Sequence, residues 1–170
     1  LAKEPIDDWD RYREELLKRS GNDNKVVRLL HNRAKMSPKK IIFAEADQLD
    51  VLKAAQIAME EGIAYPILLG KKETILKLKE ELEFDAEVPI LDPKSSELKD
   101  KKLQYAKRYW ENRKRNGVTL YNAKSKMRER NYFGPMMVLE GDADGMISGY
   151  ARPYPTVLKP ILGIKDPKND

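Results

Sequence analysis

The chain has 170 residues, 41% of them hydrophobic, no cysteine, and 33 Lys and Arg against 28 Asp and Glu, for a formal charge of +5. That apolar content supports one ordinary core, so one domain with a helical arm is expected; the missing thiols exclude disulfides, thiolate metal sites and cysteine nucleophiles, and agree with a reducing, cytoplasmic setting. The longest apolar runs fall far short of the roughly 20 residues that span a bilayer, and the acidic start LAKEPIDDWD lacks the character of a signal peptide, so the chain reads as soluble, with no membrane partner.

Residues 7–19, DDWDRYREELLKR, place acids first, bases last, and Trp9, Tyr12 and Leu16 near helical spacing, which predicts a capped amphipathic helix stopped by SGND. A second short helix is expected over about 25–35, capped by Asp23 or Asn24, with Val26, Val27, Leu29 and Leu30 as its buried side. MSPKK ends it, because proline disfavours a helical residue before it. KIIFAEA is a β-rich run, and DQLDVLKAAQIAMEEG reads as a helix with Asp47 at its start and Gly62 at its close. AYPILLG is a strand, KKETILKLKEELE a helix, and EVPILDP a third strand.

SSELKDKKLQYAKRYWENRKRNG predicts a long helix ending at Gly117, and VTLYNAKSKMRER opens another with Thr119 as its cap. NYFGPMMVLEG resumes as a helix that Gly134-Pro135 should interrupt or fix at its first turn. ADGMISG is the last strand, followed by a proline-rich loop and a short helix from Pro155 through Leu162.

Strand and helix alternate from residue 40 onward with connections too long for hairpins. The expected fold is therefore α/β and doubly wound: a mostly parallel sheet flanked by helices, preceded by an N-terminal helical arm. The arm would cover residues 1–36 and the sheet domain residues 37–170. Right-handed crossovers put the carboxyl ends of all strands on one rim, where ligands of such folds bind. The residues to inspect are then Glu45 and Asp47, Gly70 to Lys72, Asp92 to Lys94, and Ser148 to Arg152.

Ser148-Gly149 follows a strand and precedes a helix start that includes Thr156, so its surroundings can offer backbone N–H groups and a positive dipole end to an anion such as phosphate. Arg152 and Lys159 add charge there. A tight turn that merely needs glycine explains the same residues. Glu45 and Asp47 are open to a base or metal role, or, for Asp47, to a plain helix cap. No acid cluster has metal-ligand spacing, and His31, the single histidine, falls in the N-terminal helical region. Positive charge concentrates between Lys107 and Arg130; interleaved acids and the lack of stacking platforms argue against a nucleic-acid module. Arg113 and Arg115 suit bidentate phosphate binding better than Lys114, though cations at a helix end also simply complement its dipole. There is no nucleophile–base pair, P-loop or GxGxxG.

Several blocks together resemble a known family. PKKIIFAEADQLDVLKAAQIAMEEGIAYPILLG, VPILDPKS and YWENRKRNGVTLYNAKSKMRERNYFGPMMVLEGDADGMISGYARPYPTVLKPIL are similar, in order and spacing, to the first half of phosphotransacetylases (phosphate acetyltransferases). The similarity looks closest to the phosphotransacetylase-like C-terminal region of bacterial NADP-dependent malic enzymes, because KEPIDDWDRYREELLKR resembles the helix leading into that region. The resemblance covers about residues 37–162.

It implies a two-lobed α/β fold with a site between the lobes, which moves acetyl between coenzyme A and phosphate in true transferases. It carries coenzyme A or phosphate binding onto Arg113, with Glu45, Ser148, Gly149, Arg152, Thr156 and Lys159 as the other candidate ligand contacts. The chain departs from the family where an arginine becomes Lys159 and where PEGEDxR reads AEADQLD. The half that carries the family's chemical serine, arginine and aspartate has no counterpart here, so no catalytic residue is assigned. The implied role is a regulatory module of a malic enzyme that binds acetyl-CoA or coenzyme A, contacts the malic-enzyme catalytic part in cis and supports a homo-oligomer. No cofactor is expected in this part; NADP and a divalent metal belong to the catalytic part. The alternative is a piece of an active phosphate acetyltransferase.

Overall fold

The computed structural model describes residues 8, 9, 12 and 25–164. Trp9 and Tyr12 are helical and in edge-to-face contact; the rest of the helix expected over 7–19 lies outside the described residues. Helix α1, Lys25–Met36, follows. The expectation that Val26, Val27, Leu29 and Leu30 form its buried side does not hold: they are 48% to 60% exposed. The stripe is present in the sequence, but no described element lies opposite it. Helix α1 approaches the rest of the fold where His31 Nδ1 lies 3.3 Å from Glu61.

From there the chain builds β1 (Lys39–Phe43), α2 (Leu49–Glu60), β2 (Ala64–Leu69), α3 (Lys72–Glu81), β3 (Ile90–Leu91) and α4 (Lys99–Arg113). It continues through α5 (Leu120–Lys126), α6 (Arg130–Leu139), β4 (Gly145–Ile147) and α7 (Tyr154–Ile164). The four strands are all parallel in the order β3-β2-β1-β4. The chain steps outward from β1 to β3 and then returns to the other side of β1, so the topological switch lies between β1 and β4.

Strand alternation divides the core in two. Ile42, Ala44, Ile67 and Leu69 face one way, against Tyr105, Phe133 and Met136 of α4 and α6. Phe43 and Leu68 face the other way, against Leu52, Ala55 and Ile75 of α2 and α3. Side chains such as Leu52, Leu68 and Leu69 are fully buried, and each stabilises the fold by about 1.5–3 kcal/mol. This is the doubly wound sheet read from the alternation of periods.

Local chemistry sets the details. Thr119 caps α5, its Oγ1 accepting from Asn122 N–H at 3.1 Å. The long helix is shorter than expected: Asp92 and Ser95 hold a turn by accepting from Lys94 and Glu97 N–H, and a 3-10 turn at Lys114–Asn116 leads to left-handed Gly117. Gly134-Pro135 does not interrupt α6, which runs through it. A Cβ on Gly134 would sit 2.4 Å from Met146 Sδ, so glycine lets the helix lie against the sheet, and packing holds the buried proline in place. Asp47 is not the cap of α2; Gln48 is, without a side-chain bond, because the Asp47 carboxylate is engaged elsewhere.

Candidate anion-binding groove

At the carboxyl rim of the sheet lies a groove of ≈ 630 Å³. The tip of β2 contributes Gly70 and Lys71, and the tip of β3 contributes Asp92, Pro93 and Lys94. The entry to α6 brings Arg128, Glu129, Arg130 and Asn131, while Arg152 and Thr156 come from the β4–α7 side and Asp47 from the turn after β1. The rim expected from strand order is therefore one continuous surface, lined by five basic and three acidic side chains.

Two of the basic side chains are engaged. Arg130 grips Asp47 fork to fork, Nη1 to Oδ1 at 2.7 Å and Nη2 to Oδ2 at 2.9 Å, and Nη1 also donates to Ala44 C=O. This bond is the main cause that holds the Asp47 carboxyl below its ordinary range, burial acting the other way; the same pairing raises Arg130. Lys71 lies 3.2 Å from Glu73. Among the described residues, Lys94, Arg128 and Arg152 have no ion-pair partner. Below the groove, Lys102 donates to Pro93 and Ser95 C=O, fixing the β3–α4 turn; burial, then Arg128, lowers its pKa.

At the switch point Glu45, only 2% exposed, sits under the loop after β4. Its Oε1 accepts from Gly149 N–H at 2.9 Å and from Ser148 Oγ at 3.3 Å, and its Oε2 accepts from Ala151 N–H at 2.6 Å. Burial alone pushes this carboxyl up, but the Ala151, Gly149 and Ser148 bonds, with Arg130 beside it, outweigh burial and hold it below the ordinary value. Buried Asn131 joins the group: its Oδ1 lies 3.4 Å from Ser148 Oγ, sharing that hydroxyl's single proton with Glu45, and its Nδ2 donates to Thr156 C=O at 3.4 Å.

Of the residues singled out in the sequence, Glu45, Ser148 and Gly149 thus form one hydrogen-bonded unit, and Arg152 and Thr156 line the groove. Arg113, in the last turn of α4, and Lys159, exposed on α7, are not among the residues lining it. Sequence reasoning missed Arg130 and Asn131. Their one local signal is the run RERN across the start of α6, at the end of the basic stretch.

A family profile described as Phosphate acetyl/butaryl transferase matches residues 25–170. The chain belongs to that family. The phosphate acetyltransferase of Thermoanaerobacterium thermosaccharolyticum is 39% identical over 139 residues, 82% of this chain and 41% of the relative. The NADP-dependent malic enzyme of Rhizobium meliloti is 26% identical over 169 residues, 99% of this chain and 22% of the relative. The EutD phosphotransacetylase from Staphylococcus aureus has the same fold, with a TM-score of 0.69 at 28% identity over 82% of this chain and 42% of that one. The chain thus spans well under half the length of these relatives. The domain it carries is shared by phosphate acetyltransferases and NADP-dependent malic enzymes. Among the described residues no helix is long and apolar enough to cross a membrane.

Proposed function

We propose that residues 37–170 are the N-terminal lobe of the phosphotransacetylase-like region of a malic enzyme, preceded by an arm over residues 1–36. In this reading the lobe binds acetyl-CoA or coenzyme A and has no catalysis of its own. The anionic phosphates of the ligand meet Arg128 and Arg152, whose guanidinium forks suit them better than ammonium groups do, with the Lys94 ammonium adding charge beside them. Arg113 is a further contact on the strength of its family block alone. Binding reports to the malic-enzyme catalytic part in cis, inside a cytoplasmic homo-oligomer, by favouring one of two global states. NADP and a divalent metal belong to that catalytic part.

The observation that carries this reading is the extent of similarity. The malic-enzyme match runs through 99% of the chain, arm included, whereas the phosphate acetyltransferase match covers 82%. The second reading, part of an active phosphate acetyltransferase, is favoured by the higher identity of 39%. The full-length parent separates the two when assayed with acetyl phosphate and coenzyme A, and again for malate oxidation with and without acetyl-CoA. The regulatory reading expects no transfer and an oxidation rate that responds to acetyl-CoA; robust acetyl transfer contradicts it.

A further inference from the structure

Two amides two residues apart, Gly149 and Ala151 N–H, turn toward the same point below the β4–α7 loop, made possible by a φ of +105° at Gly149. Such concave pairs of N–H groups ordinarily receive an anion. Here the protein supplies the anion: the Glu45 carboxylate fills both. These amides are therefore occupied, and a fixed negative charge lies beneath the loop. Arg152 follows Ala151 directly and lines the groove. The loop is also tied on its outer side, where Tyr150 OH donates to Asp50.

We propose that Glu45 is a positioning residue, a buried latch that holds the loop so that Arg152 meets the anion in the groove, and not itself a ligand contact. This rests on the reading of the groove as an anion site. It makes a prediction of sign that a bystander carboxylate does not share. Removing a negative charge near an anion site by itself strengthens anion binding; releasing a latch weakens it.

The test is calorimetric titration of coenzyme A into the full-length parent, as wild type, Glu45→Gln, Arg152→Ala and the double variant. Each single change is expected to weaken binding roughly tenfold, the size of one charge-assisted hydrogen bond. The double variant is expected to bind no more weakly than Arg152→Ala, because Glu45 acts through that side chain. Unchanged or tighter binding in Glu45→Gln, or effects that add, overturns the latch. Should Glu45→Gln fail to fold, Gly149→Ala serves: no atom lies within 4 Å of the added Cβ, so only the backbone at φ +105° is strained while the Glu45 charge stays. Weaker binding is expected there too, and wild-type affinity overturns the proposal. A wild-type parent that binds no coenzyme A removes the anion reading and the latch with it. Binding lost in Arg152→Ala but kept in both loop variants removes the latch alone.

Discussion

Arg130 and Asp47, 83 positions apart, meet in a two-pronged ion pair that ties the entry of α6 to the turn after β1. Both side chains are largely shielded from water, at 22% and 18% exposure. The pair joins the two sides of the switch point, and its geometry depends on a planar guanidinium. Arg130→Ala should lower stability by about 2 kcal/mol, the order of a charge-assisted bond left unmade. Arg130→Lys should lower it by about half as much, since charge survives but the fork does not. Urea midpoints check this, and equal midpoints for wild type and Arg130→Ala would count against it.

The carboxyls of Glu45, Asp47 and Asp142 are all held below their ordinary values, that of Asp142 chiefly by the Tyr105 hydroxyl that donates to it. A carboxyl depressed in the folded state leaves the unfolded chain binding more protons at acid pH. The stability these groups contribute is therefore complete above about pH 5 and is lost as pH falls through their folded values. Unfolding in urea at a series of pH values should show that decline, shallower in Glu45→Gln. A wild-type midpoint that stays level or rises as the pH drops would contradict the assignment.

Thr119→Ala removes the acceptor for Asn122 N–H at the start of α5. The expected loss is about 1 kcal/mol, with Thr119→Ser close to wild type. Thermal unfolding measures both, and an Ala variant as stable as wild type would show that the cap contributes nothing.

Exposed apolar side chains gather on α1, at Leu29 and Leu30, and at the open edge of the sheet, at Ile147. Surfaces of that kind seek cover. In sedimentation equilibrium the chain should weigh more than one copy, and a clean monomer at high concentration would tell against the proposed oligomer.

The doubly wound order was legible because period changes are local: KIIFAEA and AYPILLG alternate faces, while the helices between them repeat at helical spacing. The rim was legible for the same reason, since strand ends mark it. What the sequence hid are pairings between distant residues. Asp47 looks like a cap from its neighbours alone, and only the fold reveals Arg130 opposite it. Glu45 stands after β1 in the sequence, and only the fold brings the Gly149 and Ala151 N–H groups of the loop beyond β4 onto its carboxylate. The α1 stripe has helical spacing whether or not anything covers it, so pattern alone could not report its exposure.

The central claim is that the groove receives an anionic ligand through unpaired guanidinium groups. Calorimetric titration of acetyl-CoA into the full-length parent, wild type against Arg128→Ala and at low and high salt, tests it most directly. The account predicts binding that weakens in the variant and with added salt while the urea midpoint stays unchanged. Equal affinity in wild type and variant, or no binding to either, would contradict it.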